Sequence, residues 1–299
     1  MSLRVIKSGL YSLFIGRKRS GSRHLGVPVG GPADFVSCAL GNTLVGNPPD
    51  ALALEIALFG PILQAEVPLA GVVFGAPFQL SASSGQLLEV GQSFNLAPGE
   101  RLKIGGTPTG CRAYLCVVGG FAGAVILDSQ SALAPIRRGD LLTCGMSSMK
   151  PRSGIAPALR KSGVIRVLPG PQAWWFGDRD FFEQIYTVAG ASDRMGVRLV
   201  GTPLSRPTRE LASEPVAPGA VQITNDGFPV ILGVDGQTIG GYPKIAHVIR
   251  ADLDQVGQLR PGSTVQFVEV TTEQAELAYR EQNKTLRCTV AFWQASAMG

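Results

Sequence analysis

The sequence predicts a mainly β protein of two β-rich lobes. Three observations carry that prediction: short runs of β-branched and aromatic residues, turn signals between them at close intervals, and few stretches with helical period. At 299 residues the chain is long enough for one large domain or two ordinary ones. With 45% hydrophobic and 16% charged residues, 38 glycines and 21 prolines, the composition describes a compact, turn-rich protein and excludes a disordered one.

The elements follow in chain order. The opening MSLRVIKSGLYSLFIGRKRSG carries a short apolar run broken at Gly16, with the basic cluster Arg17-Lys18-Arg19 after it, the reverse of a signal peptide. No apolar run reaches the ~18 residues of a membrane span, so a soluble, cytoplasmic protein is expected. ADFVSCALGNTLVGN, Ala33 to Asn47, places Val36, Ala39, Leu40, Thr43 and Leu44 on one face of an amphipathic helix, with Asp34 as its cap. Strands are predicted in ILQAEVPLAGVVFGAPFQLSA from Ile62, RLKIGG from Arg101 and CRAYLCVVGGF from Cys111. Between Leu142 and Lys161 periodicity is lost and Ser, Gly, Pro and basic residues gather, which sets a lobe boundary near residue 158, with lobes 1–158 and 159–299. The second lobe is predicted to hold strands in VIRVLPG from Val164, VQIT from Val221, FPVILGV from Phe228, HVIRA from His247 and TVQFVEV from Thr264. In the last of these, Val265 and Phe267 alternate with Thr264 and Gln266. Short helices are expected in DRDFFEQIYTVA from Asp178 and ADLDQVGQL from Ala251, and a polar helix after the Thr-x-x-Gln capping box at Thr271. Turns at Ala97-Pro98-Gly99-Glu100 and Arg260-Pro261-Gly262-Ser263 separate strands.

A net charge of +5 raises nucleic acid as a partner, but the basic residues are scattered and no aromatic residues interleave with them as a stacking platform would require. Nucleic acid and membrane are therefore not expected; an anionic small molecule or an acidic protein fits the charge equally well. Cys38, Cys111, Cys116, Cys144 and Cys288 are odd in number and lack CxxC spacing, which predicts reduced thiols, neither a disulfide framework nor a metal site. There is no GxxxxGK[ST], GxSxG or HExxH, and His24 and His247 suggest no nucleophile–base pair. Lys150 follows Met149 but precedes Pro151 in an irregular stretch, so no covalent biotin is expected on this chain.

Three stretches could carry chemistry. GQTIGGYPKIAHVI, Gly236 to Ile249, sets a glycine pair and Tyr-Pro directly before a strand, as either a tight turn or a binding loop. SDRMGVRL, Ser192 to Leu199, spaces two arginines to clamp a carboxylate or phosphate, or to brace a loop. GVPVGGPAD, Gly26 to Asp34, brings a glycine-rich turn to a helix start, where free N–H groups favour an anion. The adjacent Trp174 and Trp175 either stack on a ligand or fill the core.

Taken in order, GVPVGGPAD, ALGNTLVGN, ALEIALFGP, CRAYLCVVGGF, SDRMGVRLVG, VQITNDGFPVILGVDGQTIGGYPKIAHVIRADL and GQLRPG resemble the KipA or allophanate hydrolase subunit 2 family, also called the biotin-dependent carboxyltransferase family, which includes the C subunit of 5-oxoprolinase. The resemblance spans roughly residues 20 to 270. It implies a cyclophilin-like β-barrel in the C-terminal lobe and a KipI-like companion, the B component, with a LamB/YcsF-like A component completing an ATP-dependent 5-oxoprolinase that opens the lactam of 5-oxoproline to glutamate. ATP would then act at the level of the complex. The same family implies, alternatively, carboxyl transfer to urea. Both reactions polarise a small amide. Carried over to this chain, the resemblance makes Lys244 an electrostatic stabiliser, Tyr242 a donor to the substrate carbonyl and Asp235 a third catalytic group. It assigns substrate binding to Arg194, Arg198, Gln222, Gln237, Gly240 and Gly241, and to Asp34, Asn42 and Glu55 of the N-terminal lobe.

The chain departs from the family's pattern in that lobe. Ile15-Gly16-Arg17-Lys18-Arg19 stands where a Gln-Asp-x-Gly-Arg run is usual, and DSQSA, Asp128 to Ala132, stands where Gly-Ser-Arg-Ser-Thr is usual. These losses keep open a non-catalytic, regulatory role of the KipA kind.

Overall fold

The computed structural model describes residues 2–155, 163–177, 180–205 and 209–295. The chain forms two compact units. Unit 1 comprises Met1–Lys18, Asp34–Ala158 and Thr285–Gly299; unit 2 comprises Arg19–Ala33 and Leu159–Lys284. Residue 158, where the sequence suggests a boundary, lies outside the described residues, as does the start of the helix expected from Asp178.

Unit 1 is a sandwich. Its strands are β1 (Ser2–Lys7), β2 (Tyr11–Ile15), β3 (Ala53–Ala57), β4 (Ile62–Ala65), β5 (Leu69–Gly75), β6 (Leu80–Ala82), β7 (Leu87–Leu88), β8 (Ser93–Leu96), β9 (Arg101–Ile104), β10 (Arg112–Val117) and β11 (Leu141–Thr143). They make a six-stranded sheet in the order β11-β1-β4-β9-β6-β7 and a five-stranded sheet in the order β2-β3-β10-β5-β8. Leu3, Val5, Leu63 and Leu102 of the first sheet meet Leu54, Ile56, Val73 and Leu115 of the second in one core. On its other face the five-stranded sheet carries α1 (Phe35–Leu44), whose Cys38, Leu40 and Leu44 pack with Val72, Phe74, Tyr114 and Cys116. Covered on both faces, β10 is buried at every position, which is why its sequence runs apolar without the alternation of a half-buried strand.

The cap of α1 forms as its sequence indicates: the Asp34 carboxylate accepts the Ser37 N–H at 3.0 Å and the Ser37 hydroxyl at 2.6 Å. The helix is less amphipathic than expected, with every residue from Ser37 to Leu44 buried. Its approach to the sheet is close at Gly41, where a Cβ would stand 2.9 Å from Phe74 Cβ and 3.0 Å from Cys116 Sγ. Gly41→Ala should therefore destabilise the protein by about 1–3 kcal/mol through overpacking. Urea unfolding measures this, and a neutral or stabilising effect would refute the close contact.

The second unit is built on a closed seven-stranded barrel. The remaining strands are β12 (Val164–Pro169), β13 (Tyr186–Val188), β14 (Gly196–Val200), β15 (Glu214–Pro215), β16 (Ala220–Ile223), β17 (Pro229–Leu232), β18 (Ile239–Gly240), β19 (Lys244–Val248) and β20 (Thr264–Glu269). The barrel order is β12-β19-β16-β17-β14-β13-β20, while β15 and β18 form a separate two-stranded ladder. Pairing is parallel between β12 and β20 and antiparallel between the other barrel neighbours. Ile165, Val167, Val197, Leu199, Val221, Ile231, Val265 and Phe267 are among the residues that fill the interior. Phe181, from α2 (Asp180–Glu183), stacks on Phe267 with centroids 4.4 Å apart. The segment FFEQIYTVA is thus corrected: its helix ends at Glu183, and Tyr186–Val188 becomes a strand because it pairs with both β14 and β20.

Two further helices are α3 (Leu253–Gly257) and α4 (Thr272–Ala295). The capping box before α4 is present, with Thr271 Oγ1 accepting the Gln274 N–H and Gln274 Oε1 accepting the Thr271 N–H. At 24 residues α4 is the long exception among short helices. Leu286, Val290 and Trp293 near its end pack against the α1 side of unit 1. Among the described residues no helix is long and apolar enough to cross a membrane. All five cysteines are free thiols, four of them buried.

Candidate functional site

The stretch from Gly236 to Ile249 leaves β17, forms β18 and enters the barrel again as β19. Between β16 and β19 the register slips: Val221 faces Ala246 and Gln222 faces Lys244, so Ile245 is an extra residue. A bulge of this kind re-aims the side chains beside it. The turn ahead of the bulge is one wall of a cavity of about 470 Å3 lined by Gln237, Ile239, Gly240, Gly241 and Tyr242. Glu210, Leu211 and Asn225 line the rest.

The glycine pair is required by close approach. A Cβ on Gly240 would lie 2.6 Å from Gln237 Nε2 and 2.8 Å from Gln222 Nε2, and one on Gly241 would lie 3.3 Å from the Leu211 carbonyl oxygen. Two carboxamides therefore converge on Gly240, one from exposed Gln237 and one from buried Gln222, whose Nε2 also reaches the Tyr242 carbonyl at 3.5 Å. The described lining residues offer amides, a phenol and one carboxylate, with no Lys or Arg among them. Such a wall suits a neutral, planar, hydrogen-bonding group better than a phosphate.

Lys244 is absent from that lining. Its side chain is only 9% exposed and its ammonium pairs with Glu214 of β15. Gln172 completes the cluster: its Nε2 donates to Glu214 Oε1 at 2.9 Å, and its Oε1 accepts the Lys244 backbone N–H at 3.0 Å. The hydrogen bond from Lys244, reinforced by its charge and by Gln172, holds the Glu214 carboxyl below its usual range against partial desolvation.

The two arginines of SDRMGVRL have different fates. Arg194 is buried and grips Asp235 with two bonds, Nε to Oδ2 at 2.6 Å and Nη2 to Oδ1 at 3.0 Å, while Nη2 also donates to the Gly31 carbonyl at 2.8 Å. Arg198 is exposed on β14. The glycine-rich turn that holds Gly31 is tied to the same place by the Gly30 N–H to the Val234 carbonyl, so Arg194, Asp235 and residues 30–31 form one braced loop cluster within unit 2.

Asp34, Asn42 and Glu55 belong to unit 1 and are buried there. Asn42 donates to the Ala51 carbonyl at 2.9 Å and accepts from Asn47, whose own Nδ2 donates to the Val117 carbonyl. Glu55 accepts the Tyr114 hydroxyl at 2.9 Å and lies 3.3 Å from Arg112 Nε; the Tyr114 oxygen in turn accepts the Asp34 N–H at 2.8 Å. Burial, with the charges of Glu55 and Asp34, pushes the Tyr114 hydroxyl well above its ordinary pKa, so it stays a donor.

Of the tryptophan pair, Trp175 packs on the barrel core, whereas Trp174 is 70% exposed with the Arg209 guanidinium 5.3 Å from its ring centroid. Sequence reasoning passes over Gln172, Glu210, Glu214 and Asn225. The turn TNDG could have flagged Asn225; nothing in ELASEPVAPG singles out the two glutamates.

Residues 25–269 match the model of the carboxyltransferase domain, subdomain A and B. The chain belongs to this carboxyltransferase domain family. The carboxyltransferase-domain chain is 32% identical to the C subunit of 5-oxoprolinase from Escherichia coli, an alignment covering 94% of this chain and 96% of that protein. It is 33% identical to the corresponding 5-oxoprolinase C subunit of Haemophilus influenzae, covering 86% and 87%. Among solved structures, the urea amidolyase of K. lactis superposes with a TM-score of 0.88 at 27% identity; 96% of this chain is covered, but only 20% of that one.

Proposed function

We propose that the chain is the C-type subunit of a cytoplasmic, ATP-dependent 5-oxoprolinase, opening a small lactam together with KipI-like and LamB/YcsF-like partners. The observation that carries this reading is the cavity at Gln237 to Tyr242, whose amide and phenol groups match the lactam C=O and N–H of 5-oxoproline, the carboxylate of that substrate being left to a cation outside the described lining. Tyr242 would donate to the carbonyl as charge develops on its oxygen, with the Gln237 carboxamide orienting the ring. ATP would be handled outside this cavity, by the assembled subunits. The identity to proteins named as the C subunit of 5-oxoprolinase, over nearly their whole length, supports the choice of substrate.

The test is reconstitution. Purified chain is expected to give no turnover of ATP and 5-oxoproline alone, and to be indispensable for glutamate formation when mixed with the two other subunits. Turnover by the chain alone, or undiminished turnover without it, would refute the reading. A second reading, carboxyl transfer, is favoured by the likeness to the K. lactis urea amidolyase. Carboxylation of urea with a biotin carboxylase present, and no glutamate formation, would select it; a regulatory protein would give neither product.

A further inference from the structure

We propose that Glu214 is a positioning residue of the cavity, fixing residues 209–216 as the wall opposite Gly240 and Gly241, and that Lys244 works through Glu214 instead of on the ligand. The proposal rests on the reading that this cavity is the substrate site, and it concerns a residue that no motif marks.

Among the described residues, the wall is attached at the following places. At one end Arg209 stands over Trp174, and Glu210 and Leu211 follow as lining residues. Ala212 and Ser213 are exposed. Glu214 and Pro215 then pair with Gly240 and Ile239 across the two-stranded ladder, and Val216 is buried with Ala220 and Leu232. From Arg209 to Pro215 the attachments among the described residues are thus mainly polar, charged or cation–π in kind, with full apolar burial beginning at Val216. The Glu214 side chain ties this segment to the barrel, accepting from Lys244 at the start of β19 and from Gln172. Gln172 is itself locked to Lys244 in both directions, since its backbone N–H also donates to the Lys244 carbonyl at 3.1 Å. The bulge at Ile245 belongs to the same arrangement, setting Lys244 opposite Gln222. A wall held by exposed or half-exposed polar contacts opens at low cost, and removing one such contact changes its opening before it changes the fold.

Hydrogen exchange of the full chain, read by mass spectrometry, tests this. Glu214→Gln should speed exchange across residues 209–215 by about ten-fold, while Val221–Ile223 and Thr264–Glu269 stay as protected as in the parent. Trp174→Ala should speed exchange only toward residue 209. The charge exchange Glu214→Lys with Lys244→Glu should restore protection at least in part. Unchanged exchange in Glu214→Gln would overturn the proposal, as would an increase spread evenly through the barrel, which would make the pair a general stabiliser. Titration of 5-oxoproline into the complex reconstituted with the two other subunits separates the two readings: no binding to the parent complex with the local exchange pattern intact refutes the substrate, not the wall. Binding to the parent with equal affinity in Glu214→Gln refutes the positioning role.

Discussion

Glu55→Ala is expected to lower folding stability by about 3–5 kcal/mol, the cost of stranding a buried charge. Glu55 is 2% exposed, and its carboxylate answers both the Arg112 guanidinium, itself 8% exposed, and the Tyr114 hydroxyl. Truncation removes the acceptor of each at once. Glu55→Gln keeps an acceptor for Tyr114 but loses the charge facing Arg112, so an intermediate loss is expected. Urea unfolding of the three proteins measures the series. A loss under about 1 kcal/mol for the alanine variant, accompanied by loss of activity, would return Glu55 to the substrate-binding role that its motif position implies.

Gly240→Ala is expected to cut turnover of the reconstituted enzyme on the order of 10²-fold, because displacement of positioning groups by about 1 Å is enough to do so. The added methyl would collide with the ends of two flexible side chains, Gln237 and Gln222, and not with backbone. Those ends can swing aside, so folding should lose no more than about 1 kcal/mol. Placing the same change in a Gln237→Ala background should reduce its cost, a coupling that a double-mutant cycle reads directly. Full activity in Gly240→Ala would remove the convergent carboxamides from the site.

The sequence is legible where the physics is local. The Asp34 cap, the Thr271 capping box and the alternation in β20 are each written in residues a few places apart, as is the apolar run of β10 that two covered faces require. Tyr186–Val188 reads as helix because only its pairing with β14 and β20 makes it a strand, and the Ile-Tyr-Thr-Val run can continue either pattern. The arginines four apart suggest a ligand clamp; Arg194 clamps, but onto Asp235 and the Gly31 carbonyl, partners 41 and 163 residues away. Lys244, which the family resemblance casts as an electrostatic stabiliser, is drawn into an ion pair by a glutamate 30 residues earlier in an unpatterned stretch. The glycines themselves are legible as backbone devices, though not which of turn or close approach they serve.

Each unit is assembled from separated stretches, and the polypeptide crosses from one to the other four times, after residues 18, 33, 158 and 284. A gene cut at codon 158 would therefore encode two products, neither holding a whole unit. The downstream product would lack residue 31, whose carbonyl Arg194 needs, and residue 30, whose N–H binds Val234. A single crossover between relatives cannot exchange one whole unit: at residue 158 it would pair residues 30 and 31 of one parent with Arg194 and Val234 of the other.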